Sequence, residues 1–314
     1  MNKVTIQHTD LEIAPISFGG NVFGWTLNEQ ESFEILDKFT GAGFNFIDTA
    51  DTYAWWLNGS GGQSEEIIGK WLKSRSNRNN VVIATKVGSE TKDHGFDISK
   101  KHILKSADES LQRLGVDHID LYYTHFDDHT TPAEETLSAY EELIKAGKIR
   151  YIAASNLSPA RLSESFEAAE KNGLPKYVAL QPHYNLVERS TFETDYTPLV
   201  EQYNLSVFPY YSLASGFLTG KYRTEEDFGK TARGGGIRKY FDGKGKAVLN
   251  ALDTVAEKHD VKQATVALAW LLANSLITAP IVSATSESQL ETLFAAPELK
   301  LDADDLGLLN DASK

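Results

Sequence analysis

The sequence predicts a closed α/β barrel, and three observations point to it. Short β-branched and aromatic runs alternate with amphipathic helical patterns along nearly the whole chain. Six of those runs end on a polar residue, namely Asp48, Lys86, His125, Ser155, Gln181 and Tyr211, at intervals of 38, 39, 30, 26 and 30 residues. A barrel of about 250 residues in eight units would give roughly 31 per unit. An open doubly wound sheet would place a G-x-G-x-x-G turn after its first strand, and Phe18-Gly19-Gly20-Asn21-Val22 stands there instead. The expectation is a (β/α)8 TIM barrel over residues 1–314 as a single domain. It should carry an N-terminal β-hairpin, a long cofactor loop after strand 7 and extra C-terminal helices.

Each element has its own signal. Residues 4–13 alternate apolar and polar around Thr9-Asp10, a hairpin suited to plugging the amino end of a barrel. Residues 16–22 read as a short strand whose glycines allow a ligand or backbone to come close. Asn28 caps a helix faced by Phe33, Leu36 and Phe39 and stopped by Gly41 and Gly43. Ser64 opens the next helix, with Ile67, Ile68, Trp71 and Leu72 on one side. Ser99, Pro132 and Pro159 begin three more, the first ending at Gly115 and the second at Gly147. Between them lie the strands that end at Asp48, Lys86, His125 and Ser155. Strands at residues 177–181, 205–211 and 279–283 complete the ring. Residues 216–245 show no helical or strand period and are rich in glycine and base, so they read as a clasp for an anionic cofactor. Helical patterns at 248–259, 263–274 and 303–310 close the chain.

Composition narrows the function. The formal net charge of −13 argues against nucleic acid or an anionic membrane as the main partner. The absence of cysteine excludes disulfides, thiolate metal sites and a cysteine nucleophile, and fits a reducing compartment. No stretch approaches the roughly 20 apolar residues of a membrane span. A cytoplasmic protein is expected. No carboxylate or histidine cluster has metal-ligand spacing, so no metal is expected.

Asp48 and Tyr53 emerge five positions apart at one strand end, Lys86 at the next and His125 at the third. In this order and context the four resemble the tetrad of the aldo-keto reductase superfamily. Residues 43–50 (GFNFIDTA), ending at Tyr53, are similar to that family's first signature. Residues 213–222 (LASGFLTGKY) are similar to the phosphate-side loop of its bacterial and potassium-channel-β-like branch. The resemblance implies a nicotinamide cofactor. Its contacts would come from Gly20, Asn21, Val22 and Asp48, and from Ser155 and Asn156 at the carboxamide with Gln181 beside them. Tyr211 would stack on the ring, with Ser212, Leu213, Ser215, Gly216 and Lys221 around the pyrophosphate. Ser283, Thr285 and Gln289 would lie at the adenosine end. The family's usual base after the last strand is missing there, and Arg233 from the long loop is the expected substitute at the 2′-phosphate. NADP(H) is therefore expected, with NAD(H) as the alternative.

The chemistry of the four is that of carbonyl reduction. Hydride addition leaves an alkoxide that needs a proton, and a phenol with an ordinary pKa near 10 is a weak source of one. A lysine ammonium about 4 Å away contributes roughly 4 kcal/mol at an effective dielectric of 20. That could lower the phenol by up to ~3 units before desolvation is subtracted. Tyr53 is then the acid, Lys86 its activator, Asp48 the group that keeps Lys86 charged, and a neutral His125 the group that orients the carbonyl. Trp25, Trp55 and Trp56, with Tyr184, are expected to wall an aromatic mouth around Tyr53 and His125. The substrate would be a small carbonyl compound or its alcohol. The alternative is a nicotinamide-binding redox sensor or regulatory subunit with negligible turnover. Neither substrate identity nor oligomeric state is legible.

Overall fold

The computed structural model describes residues 2–314 except 93, 225, 228–233 and 242, together with all side chains but those at 58 and 234–236. Among the described residues an eight-stranded parallel sheet forms the centre. Its strands are β3 (Ser17–Gly19), β4 (Phe46–Asp48), β5 (Val82–Val87), β6 (Ile119–Thr124), β7 (Ile149–Ser155), β8 (Ala179–Gln181), β9 (Ser206–Val207) and β10 (Ile281–Val282). Spatial order follows chain order from β3 to β9, with β10 beside β3. The two ends meet. Ile281 N–H donates to the Pro209 carbonyl at 2.9 Å, and the Ser212 hydroxyl bonds the carbonyls of Pro209 and Ile281. The expected barrel is therefore the observed one.

Strand alternation divides the apolar side chains between two cores. Phe46, Ala84, Leu121, Tyr123, Ala153, Ala179 and Phe208 point into the barrel. Ile47, Ile83, Tyr122, Ile152, Leu180 and Val207 face the helices. The hairpin of β1 (Val4–Thr5) and β2 (Glu12–Ile13) delivers Ile6, Leu11 and Ile13 to the inner core, so it plugs the barrel as the pattern suggested. Asn45 ties it in place, accepting from Ala14 N–H and donating to the Glu12 carbonyl.

The helices are α1 (Glu29–Gly41), α2 (Trp55–Asn58), α3 (Gln63–Arg75), α4 (Lys100–Leu114), α5 (Ala133–Lys145), α6 (Pro159–Asn172), α7 (Thr197–Tyr203), α8 (Gly243–His259), α9 (Gln263–Ala273), α10 (Glu287–Phe294) and α11 (Ala303–Ala312). Asn28 and Glu31 form a capping box on α1, and Ser99 caps α4. Ser64 lies at the start of α3 as expected, but it is not its cap. Gly62, at φ 90°, precedes α3, and the buried Ser64 hydroxyl bonds the Gly20 carbonyl and Thr49 Oγ1. The long loop is less irregular than its composition suggested. Gly234–Tyr240 forms a 3-10 turn that buries Ile237 and packs the Tyr240 ring on Phe217. No helix among the described residues is long and apolar enough to cross a membrane.

Candidate active site

Three strands deliver the four expected residues to one place at the carboxyl end of the sheet. Asp48 ends β4, Lys86 lies near the end of β5, and His125 follows β6, its N–H bonded to the Val87 carbonyl. Lys86 is fully buried. Its Nζ donates to Asp48 Oδ1 at 2.5 Å, to the Thr49 carbonyl at 2.6 Å and to Tyr53 Oη at 3.1 Å. The other Asp48 oxygen accepts from Gln181 Nε2 at 2.9 Å. The His125 ring stands edge-on to Tyr53, 6.2 Å between centroids, and its buried Nδ1 has no hydrogen-bond partner.

Environment sets the charge states. Burial works against the Lys86 ammonium, but the charge and hydrogen bonds of Asp48 and Tyr53 outweigh it, so its pKa lies above the ordinary lysine value. Burial raises the Asp48 carboxyl, opposed by Lys86 and by the Gln181 amide. Burial, with the Lys86 charge added, holds His125 well below the usual histidine range, so the ring is neutral. Tyr53 differs from expectation. Its ring reaches the surface in part, but its hydroxyl end lies among Lys86, Asp48 and Tyr211. The cost of burying a phenolate exceeds the Lys86 attraction, and the phenol titrates above 10. At neutral pH Tyr53 keeps its proton.

Beside this pair lies a polar shelf. Ser155 Oγ donates to the Gln181 carbonyl, and Asn156 Nδ2 donates to the His125 carbonyl and to Ser155 Oγ. Asn156 sits at φ 51°, and its Oδ1 accepts from the Tyr210 hydroxyl. Tyr211 is 54% exposed at the mouth, its ring beside those of His183 and Tyr210. Tyr211, Ala214, Ser215 and Gly216 all have left-handed backbone, φ 47° to 93°, a sharp curl at the rim. Leu213 packs on the outer core, and the buried Ser212 hydroxyl is engaged in closing the barrel. Lys221 is exposed above the Tyr222 ring, with its Nζ 3.2 Å from where a side chain on Gly216 would begin.

At the far end, the Ser283 hydroxyl bonds the Gly19 carbonyl and Asn21 Oδ1, joining β10 to β3. Gly20 leaves no room for a side chain beside Ser64 Oγ and the Asp48 carbonyl. Val22 turns its side chain into the core, so only its backbone could meet a ligand. Gln289 Oε1 accepts from Thr285 N–H and Oγ1, and Ser286 caps α10. Arg233 lies outside the described residues. Two other bases of the loop are engaged elsewhere, Arg223 with Asp253 and Lys239 with Glu188. No group of ligating side chains suited to a metal occurs among the described residues.

These features suit a nicotinamide dinucleotide, with donors at two strand ends, an exposed aromatic face and a curled glycine-bearing rim in sequence. Comparison with known proteins settles the family. The profile of the aldo/keto reductase family matches residues 15–314. The chain belongs to the aldo/keto reductase family. It is 33% identical to an uncharacterized oxidoreductase, YrpG, of Bacillus subtilis, over 99% of this chain and 95% of that protein. It is 32% identical to a probable voltage-gated potassium channel subunit beta of Oryza sativa subsp. japonica, covering 92% and 89%. It is 30% identical to an aryl-alcohol dehydrogenase [NADP(+)] of Phanerodontia chrysosporium, covering 96% and 83%.

Within this aldo/keto reductase some side chains lie where sequence reasoning did not put them. Tyr184 is buried against Phe192 and Trp270 in the helix layer and forms no part of the mouth. Trp25 and Trp56 meet edge to face at 5.3 Å. Trp55, Trp56 and Leu57 line a rim groove of about 490 Å³ with Glu90 and Lys92, but Tyr53 and His125 are not in its wall. Tyr123, whose ring lies under Lys86 Nζ at 5.8 Å, was missed, although on β6 it shares the inward parity of His125, which follows that strand. Tyr210 was missed as the partner of Asn156 because nothing local distinguishes it from Tyr211.

Proposed function

We propose that this aldo/keto reductase is an NADP(H)-dependent oxidoreductase that reduces aldehydes and ketones to alcohols, with Tyr53 as proton donor. The observation that carries the reading is the position of Lys86 Nζ, 2.5 Å from the Asp48 carboxylate and 3.1 Å from the Tyr53 hydroxyl. A dihydronicotinamide, when bound there, would supply the hydride, two electrons and one hydrogen, that the carbonyl carbon needs. Tyr53 gives its proton to the resulting alkoxide oxygen. The tyrosinate left behind lies in contact with the Lys86 ammonium, and this contact gains most in the transition state, as a catalytic interaction must. Asp48 keeps Lys86 charged, and the neutral His125 donates a ring N–H to the carbonyl oxygen. Solvent then returns the proton to Tyr53.

Ser155, Asn156 and Gln181 would hold the carboxamide, Tyr211 the ring face, and the curled segment with Lys221 the pyrophosphate. The hydroxyls of Ser283 and Thr285 near the start of α10, with Arg233, would receive the 2′-phosphate. NADPH is preferred over NADH on this reading, a preference supported by the relative named for NADP(+). The substrate is a small apolar or aromatic carbonyl compound met by Trp25, Trp55 and Trp56, and neither nucleic acid nor membrane is a partner. Steady-state consumption of NADPH with 4-nitrobenzaldehyde tests the reading, and tight NADPH binding with no turnover overturns it. That outcome would favour the second reading, a nicotinamide-binding regulatory subunit, which the relatives named as channel subunits support.

A further inference from the structure

Behind the Tyr53–Lys86 pair, between the sheet and the helices, lies a second buried ionic group with no part in the chemistry above. Glu65 on α3 is fully buried and uses both carboxylate oxygens, one accepting from Thr85 Oγ1 at 2.5 Å, the other from Arg113 Nε at 2.6 Å. Arg113, on α4, is its guanidinium partner. Asp51 faces the same compartment, and its buried Oδ1 has no hydrogen-bond partner. The Tyr122 hydroxyl of β6, also buried there, has none either. One guanidinium thus serves two carboxyls, and Glu65 holds its hydrogen bonds.

Asp51 also links the two residues that matter most for proton donation. Its backbone N–H donates to the Lys86 carbonyl at 3.3 Å, and the Tyr53 N–H bonds the adjoining Ala50 carbonyl at 3.2 Å. The segment entering α3 presses on it from outside. A side chain on Gly61 would begin 2.8 Å from Thr52 Cα and 2.9 Å from the Asp51 carbonyl oxygen. Asp51 as a whole is half-buried, but its Oδ1 is closed off from solvent.

We propose that Asp51 is a positioning residue, a half-buried carboxylic acid with one oxygen sealed and unpartnered, which holds the loop carrying Tyr53 in place only while it keeps its proton. Its surroundings favour the protonated form. Burial raises the carboxyl first and the Glu65 charge second, while Arg113, the Thr52 backbone and Lys86 oppose them, and the result is about 8. Of the charged or titratable groups facing it, Glu65 comes from α3, Arg113 from α4, Lys86 from β5, Tyr122 from β6 and Tyr140 from α5. Above that pH a second anion appears beside Glu65, and relief comes from displacing residues 49–53. Tyr53 itself titrates above 10, so the two losses of activity occur at different pH.

The kinetic arm of the test rests on the function proposed above and the thermal arm does not. In wild type, kcat/KM for aldehyde reduction should fall through pH about 8. Asp51→Asn should lack that fall, raising its ratio of kcat/KM at about pH 9 to that at about pH 6.5 by roughly tenfold over wild type. Glu65→Gln removes the like charge and should move the inflection to lower pH. Folded Asp51 binds a proton that the unfolded chain releases near the ordinary carboxylate value. Wild type therefore loses stability as pH rises from about 4 to about 8. The melting temperature of Asp51→Asn minus that of wild type should accordingly grow across that window. A flat difference, or an unchanged inflection in Asp51→Asn, overturns the proposal. If no variant turns over, the melting curves alone decide it.

Discussion

Lys86 is a buried ammonium whose charge is met by one carboxylate, one backbone carbonyl and one phenol hydroxyl. Removing one partner of a buried ion pair leaves the other uncompensated, which costs about 3–5 kcal/mol. Lys86→Met should destabilise the protein by that amount in denaturant titration, and Asp48→Asn combined with Lys86→Met should recover part of the loss. The sign with pH follows from the raised Lys86 pKa. Its contribution is complete below the ordinary lysine value and is lost as pH rises through the higher folded value. The convergence of the four candidate residues was legible because acid, phenol, base and imidazole emerge at three successive strand ends. The direction of the Tyr53 shift was not, because it depends on how much protein surrounds the hydroxyl, which no spacing encodes. The same holds for Asp51, which carries no local signal until Glu65 and Arg113 are brought against it.

Elements were legible where a cap and a period agree, as at Asn28, Ser99 and Pro159. They were least legible near proline. The runs at 205–211 and 279–283 suggested full strands, yet β9 and β10 pair over two residues each. Pro209 and Pro280 have no N–H to donate and serve as acceptors only, for Ile281 and Ser17. α7 and the π-helical turn at Phe192–Tyr196 went unread because threonine, aspartate and Pro198 crowd the segment. The proline fits there as a first-turn residue. Packing of α3 on the end of α4 depends on Gly69, where a Cβ would lie 2.3 Å from the Arg113 carbonyl oxygen. Gly69→Ala should cost about 1–3 kcal/mol and lower the melting temperature. At the C-terminus, burial opposes the Asp305 carboxylate, but bonds from Lys258, His259 and the Asp302 backbone hold it at about 2. Its stabilisation of α11 is present above the ordinary carboxylate value and disappears as pH falls toward 2, a step that Asp305→Asn should remove from acid unfolding curves.

At the scale of the molecule, the sheet keeps two apolar cores apart, and the site occupies the end of the barrel opposite the hairpin plug. The barrel was legible from periodicity alone, since the strand ends recur along the chain. Its aromatic rim was legible only in part, because Tyr184 alternates outward into the helices. With a net charge of −13, binding of the proposed anionic dinucleotide would rest on local donors. NADPH at about 100 times its Kd should stabilise the fold by about 2.7 kcal/mol, readable as a rise in melting temperature. The most direct measurement is the single-turnover rate of NADPH oxidation by Tyr53→Phe at saturating aldehyde, taken beside its NADPH affinity. The expected result is a rate lower by about 10²- to 10⁴-fold with NADPH still bound. A variant that binds NADPH and transfers hydride at the wild-type rate would contradict the assignment of Tyr53 as the acid.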